Sequence, residues 1–200
     1  MNVAVFCSAN DLSEPYVNDA KELARLLAED GHTLIYGGSD YGLMKVMADG
    51  VQQGGGKIVG ISTSVYRKYA RKNADEMIIT KTLGERKALM LERSDVIVMM
   101  IGGLGTLDET TEILELKKQS HHDKAVIILN TNNFYDGLKV LLDRMSSEGF
   151  LEMGEHKGET VTLDRFVQFV DTPQEVMATI GKTTGNNPTM EVPTSPPQAG

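Results

Sequence analysis

The sequence predicts an α/β protein of the Rossmann-like, doubly wound class, a mostly parallel sheet with helices on both faces. Three observations carry this. Apolar runs of strand length alternate with amphipathic helical segments, which implies a sheet covered on both sides and joined by right-handed crossovers. One of these runs, Val96-Ile97-Val98-Met99-Met100-Ile101, passes through the glycine turn Gly102-Gly103-Leu104-Gly105 into a helix expected to begin near Thr106. The length of 200 residues, with 40 % apolar and 24 % charged residues, suits one soluble α/β domain.

Val3 to Cys7 reads as the first strand. Ser13-Glu14-Pro15 then opens a helix whose apolar positions Tyr16, Ala20, Leu23 and Leu27 continue until Gly31. The pattern repeats as strand Thr33 to Tyr36, turn Gly37-Gly38-Ser39-Asp40 and a helix carrying Met44, Met47, Ala48 and Val51, with the methionines at core spacing. Gly54-Gly55-Gly56 ends that helix, and Lys57 to Ser62 forms the third strand. Thr63 to Asp75 is polar and basic, has no firm period, and reads as a mobile loop. Strand Met77 to Thr80, helix Leu83 to Arg93, strand Val96 to Ile101, helix Thr106 to Gln119 and strand Ala125 to Leu129 follow. Helices at about 134–147 and 173–181 flank a short strand expected at Glu159 to Leu163. Residues 1–180 are thus expected to form one domain, and the Thr-, Pro-, Gly- and Asn-rich stretch 181–200 a disordered tail.

Charge and composition exclude several classes. A formal charge of −8 argues against general nucleic-acid binding, which needs clustered cations. The lone Cys7 leaves no disulfide framework and no CxxC metal pair, and as a nucleophile it lacks an assignable base, so packing explains it better. His121-His122-Asp123 lacks a third ligand at metal-site spacing. The start lacks a basic leader, and no apolar run approaches the length of a membrane span, so a soluble cytoplasmic protein is expected.

In doubly wound sheets ligands sit at the carboxyl ends of the strands. The loops after Phe6, Tyr36, Thr80 and Ile101 should therefore converge, bringing Ser8, Gly38 and Ser39 toward the glycine turn. That turn is the strongest site candidate. Glycines permit close backbone approach, and the first N–H groups of a helix favour an anion, so Gly102, Gly103, Gly105 and Thr106 suit a phosphate. Asp108 and Glu109 lie directly behind it. Two carboxylates repel an anion, and their presence suggests chemistry beside the phosphate. On spacing alone Thr106 to Glu109 also matches a capping box, a purely local role that competes with the catalytic one. The turn does not fit GxGxxG, and the separate stretch Gly54-Gly55-Gly56-Lys57 is no P-loop, with Ile58 where Ser or Thr is needed and Val51 where the first glycine is needed. Thr82 to Glu85 matches a second capping box, which leaves Arg86 and Lys87 unexplained. Cations near a helix N-terminus cost about 0.3–1 kcal/mol unless something anionic offsets them.

Tyr36-Gly37-Gly38, Gly42-Leu43-Met44, Glu85-Arg86-Lys87-Ala88-Leu89-Met90 and Gly102-Gly103-Leu104-Gly105-Thr106-Leu107-Asp108-Glu109 together resemble the Lonely Guy family. These are cytokinin riboside 5′-monophosphate phosphoribohydrolases, often labelled lysine decarboxylases, and the resemblance covers about residues 1–150. It implies hydrolysis of the N-glycosidic bond of an AMP-like nucleotide to free base and ribose 5-phosphate, a homodimer, and no metal or other cofactor. Arg86 and Glu109 match the family's catalytic pair; Lys87 and the backbone of Gly102, Gly103, Gly105 and Thr106 match its nucleotide-binding positions. The chain departs from the family at Ile101 (proline), Lys45 (glycine) and Glu115-Leu116 (threonine-tryptophan), and its loop after Ile61 lacks the usual proline and glutamate. The alternative is a non-catalytic nucleotide-binding module of the same fold. A pyridoxal-phosphate decarboxylase would need a Schiff-base lysine, for which the sequence nominates no candidate.

Overall fold

The structure, a computed structural model, describes residues 1–151 and 162–184. Seven strands form one sheet: β1 (Asn2–Phe6), β2 (Thr33–Tyr36), β3 (Ile58–Thr63), β4 (Glu76–Thr80), β5 (Val96–Met99), β6 (Ala125–Leu129) and β7 (Gln168–Val170). Their spatial order is β4-β3-β2-β1-β5-β6-β7, and every pairing is parallel. The helices are α1 (Tyr16–Glu29), α2 (Gly42–Gln53), α3 (Leu83–Arg93), α4 (Leu104–Lys118), α5 (Asp136–Ser147), the single turn α6 (Leu163–Phe166) and α7 (Pro173–Thr184).

The two-residue period of β1 splits the core. Val3, Val5 and Cys7 pack on the face covered by α1, α2 and α7, through Leu23, Leu27, Met47 and Ile180 among others. Ala4 and Phe6 point the other way, toward Met90 of α3, Ile113 of α4 and Leu142 of α5. Both faces are therefore apolar, which is why the strands read as continuous apolar runs.

Several boundaries differ from the sequence reading. The strand expected to reach Ile101 ends at Met99, and the next helix begins at Leu104 rather than Thr106. Met100 and Ile101 are buried and still bond to the first strand's side, Met100 N–H donating to Phe6 O and Ser8 N–H to Ile101 O. Leu163 opens α6 instead of closing a strand, and the short strand lies later, at β7; the rest of the expected strand, residues 159–161, lies outside the described residues. Residues 181–184 belong to α7, and the remainder of the expected tail likewise lies outside.

The segment read as a mobile loop contains a 3-10 helix at Ser64–Tyr69, and it is tied down at its C-terminal end. Asp40 N–H donates to Tyr69 O at 2.9 Å and Arg71 N–H to Gly38 O at 2.9 Å, around an isolated Ser39–Ala70 bridge. The Arg71 guanidinium, 6 % exposed, then donates to Asp40 at 2.7 Å, to Asp49 at 2.6 Å and to the side-chain Oε1 of Gln52 at 2.8 Å. Burial works against its charge, but the Asp49 and Asp40 carboxylates outweigh it and raise its pKa. Arg71 thus clamps the 3-10 segment to α2 and to the loop before it. Because its carboxylate partners are partly exposed, Arg71→Ala should cost about 2–3 kcal/mol in urea unfolding, below the full cost of breaking a buried pair. A loss under about 0.5 kcal/mol would show that the clamp contributes little.

Candidate active site

Strand order reverses around β1, which has β2 on one side and β5 on the other. Loops from successive crossovers diverge there and leave a crevice. A cavity of about 560 Å³ occupies it. The sequence candidates Ser8, Ser39, Arg86, Lys87, Gly103, Gly105, Thr106, Asp108 and Glu109 all border this cavity, although they come from four separate segments. Gly38 and Gly102 do not line it. Gly38 has φ +77° and sits against Met77, so it serves the turn. A side chain at Gly102 would collide with that of Thr106, so this glycine lets Thr106 tuck into the structure.

The capping-box reading of Thr106 fails. Gly103, in extended conformation, is the N-cap of α4, and Leu107 N–H donates to its carbonyl at 3.0 Å. Thr106 therefore lies inside the first turn and is buried; Glu109, one turn on, is free to point inward. The turn is braced from behind by Tyr135, whose hydroxyl donates to Met100 O at 3.0 Å.

The box at Thr82 does form, shifted by one residue. Thr82 Oγ1 accepts from Glu85 N–H at 3.1 Å, while the Glu85 carboxylate accepts from Lys81 N–H at 2.9 Å. This fixes the start of α3 and sends Arg86 into the crevice. There its Nε donates to Ile61 O at 2.8 Å and its Nη1 donates to Glu109 Oε1. The pair is enclosed, with side-chain exposures of 12 % and 7 %. Gly37 is part of the arrangement, since a Cβ there would stand 2.5 Å from Arg86 Nη2. The anionic partner that Arg86 needs near a helix N-terminus is thus Glu109. Burial pushes the Glu109 carboxyl above its usual range, and Arg86 only partly offsets this.

Lys87 bridges Asp108, at 3.0 Å, and Glu112; the Glu112 bond is the main cause of its raised pKa. Lys45, where the family has glycine, pairs with Asp49 at 2.5 Å along α2. The sequence reading missed Tyr41, Tyr66 and Tyr69, which also line the cavity. Tyr66 and Tyr69 lie in the stretch without helical period, and Tyr41 stands at the N-cap of α2, so no local pattern marked them. Met44, read as core, packs against the core and lines the cavity as well.

Both ring nitrogens of His122 are committed, Nε2 to Ile113 O at 2.9 Å and Nδ1 to Lys124 N–H at 3.2 Å. Among the described residues no group of three His, Cys, Asp or Glu is placed to hold a metal, and no helix is long and apolar enough to cross a membrane.

The family model described as possible lysine decarboxylase matches residues 44–180. A cytokinin riboside 5′-monophosphate phosphoribohydrolase from Mycobacterium tuberculosis is 34 % identical over 151 residues, covering 74 % of this chain and 81 % of that protein. The chain belongs to the Lonely Guy family. A second Lonely Guy relative, from Arabidopsis thaliana and bearing the same phosphoribohydrolase name, is 32 % identical over 152 residues, covering 74 % and 71 %. Among solved structures, the molybdenum cofactor binding protein of Rippkaea orientalis superposes with a TM-score of 0.68 at 22 % identity, covering 92 % of this chain and 96 % of that one. At that identity the likeness concerns the fold that Lonely Guy proteins share with it.

Cys7 lies at the cavity wall but is 2 % exposed, and burial, with the Glu109 carboxylate second, pushes its thiol far up. It is therefore a packing residue and a poor nucleophile. Native protein should react negligibly with Ellman's reagent at pH 8 and fully once unfolded; rapid titration of the native thiol would contradict this.

Proposed function

We propose that the protein hydrolyses the N-glycosidic bond of a nucleoside 5′-monophosphate, AMP or a cytokinin riboside 5′-monophosphate, to give free base and ribose 5-phosphate. The observation that carries this reading is the Arg86–Glu109 pair, enclosed in the same cavity that the N-terminus of α4 opens onto. The names of the relatives support the same class of reaction.

The chemistry follows from the parts. A phosphate at Gly103 and Gly105 meets unpaired helix N–H groups, which hold it without a full cationic cage. Pinning that end positions the ribose and removes much of the entropy cost of reaching the transition state. Cleavage breaks the C1′–N bond and leaves its electron pair on the base, which takes up a proton; water adds its oxygen to C1′. The transition state is oxocarbenium-like, so a carboxylate near C1′ stabilises it. Glu109 supplies that charge. Its Oε1 is held by Arg86, and Oε2 carries no hydrogen bond from the described residues, which leaves it for a ribose hydroxyl or the attacking water. Arg86 keeps further N–H donors for the phosphate or the departing base. The reaction as drawn requires no cofactor, and the same reading has the protein working as a cytoplasmic homodimer on small nucleotides.

Glu109→Gln and Arg86→Ala should each lower base release by about 100-fold or more. The assay incubates purified protein with AMP, CMP, GMP and isopentenyladenine riboside monophosphate and separates the released bases. Native rates in either variant refute the assignment, and tight AMP binding without free base from the unaltered protein favours the non-catalytic module. Activity needs the ionised carboxylate, and burial raises the Glu109 pKa. The acid limb of the kcat/KM profile should accordingly lie above the usual 4.5, with activity falling as pH drops through it. A limb at or below 4.5 would contradict the role given to Glu109.

A further inference from the structure

We propose that Tyr41 and Tyr66 form the wall on which the planar base of the nucleotide stacks, with Tyr69 as its buttress; this rests on the nucleotide reading of the cavity given above. The placement follows from the sheet. Gly103 and Gly105 follow β5, Ser8 follows β1, Tyr41 follows β2, and Tyr66 and Tyr69 follow β3. Because β5, β1, β2 and β3 are successive neighbours, the phosphate end and the tyrosines stand two to three strand spacings apart, about 10–14 Å. Arg86 lies between them, bonded to the end of β3 on one side and to Glu109 of α4 on the other. A nucleotide with its phosphate on α4 and its anomeric carbon at Glu109 extends its base toward β2 and β3.

The tyrosines are arranged for such a contact. Tyr41 and Tyr66 are 56 % and 52 % exposed although both line the cavity, so their rings have surface to offer a ligand. Tyr69 is differently placed. Tyr41 meets it edge to face, with ring centroids 5.6 Å apart at 86°, and Lys68 Nζ lies 4.7 Å over its ring. At 39 % exposed it is the least open of the three, and its ring is engaged by Tyr41 and Lys68, so it supports Tyr41. The wall is also anchored: Asp40 N–H, next to Tyr41, donates to Tyr69 O, and Arg71 clamps both segments. Stacking reads ring area and tolerates substituents at the ring edge. The site therefore prefers purine over pyrimidine monophosphates.

The test measures binding of AMP, CMP and ribose 5-phosphate by calorimetry to protein carrying Glu109→Gln, alone and combined with Tyr41→Ala, Tyr66→Ala or the corresponding Phe changes. Each Ala change should weaken AMP by about 5- to 100-fold, and each Phe change should restore it. CMP should bind more weakly than AMP and lose less, while ribose 5-phosphate, which has no base, should bind unchanged throughout. AMP affinity indifferent to both Ala changes, or a parallel loss of ribose 5-phosphate, overturns the proposal. The two readings fail separately. Tyrosine-dependent AMP binding by a native protein that releases no base sinks the hydrolase and leaves the wall; base release with tyrosine-independent binding does the reverse.

Discussion

A guanidinium enclosed against a carboxylate sets the layout of this molecule. Taking Arg86 and Glu109 out of water is costly for each, and the cost is met only where geometry is good and the remaining donors find partners. The fold supplies these conditions from elements distant in sequence. The end of β3 offers the Ile61 carbonyl, Gly37 after β2 leaves room for the guanidinium, and α4 begins early enough to turn Glu109 inward. Removing either charge leaves the other buried and unpaired.

The same arrangement accounts for carboxylates beside a helix start proposed to hold an anion. Glu109 is answered by Arg86. Asp108, the more exposed of the two, is answered by Lys87, which also holds Glu112. Much of the negative charge behind the glycine turn is thus neutralised by α3, and the amides at the start of α4 keep their attraction for a phosphate. A protein of formal charge −8 can in this way present a local site for an anion.

Much of this was legible in the sequence because parallel strands covered on both faces leave long apolar runs, and glycine turns mark their ends. Arg86 and Lys87 stood out because cations near a helix N-terminus are disfavoured, and the glycine turn because it joins an apolar run to a helix start with two carboxylates behind it. What was not legible depended on contacts made at long range. Thr106 and Glu109 have capping-box spacing, yet the helix starts two residues earlier, with Gly103 as cap. The partners of Arg71 are 31 and 22 positions away, so nothing local announced that a basic, aperiodic stretch would be clamped. Its 3-10 helix has no 3.6-residue period to detect, and β7, only three residues long, is too short to show an alternation.

In the proposed function a nucleotide lies with its phosphate on the start of α4 and its anomeric carbon at residue 109. A crystal structure of the Glu109→Gln protein soaked with AMP tests it most directly. Phosphate oxygens should lie within hydrogen-bonding distance of the amide groups around Gly103 to Thr106, with C1′ facing the residue 109 side chain beside Arg86. Density showing AMP elsewhere, or in this cavity with its phosphate away from α4, would contradict it.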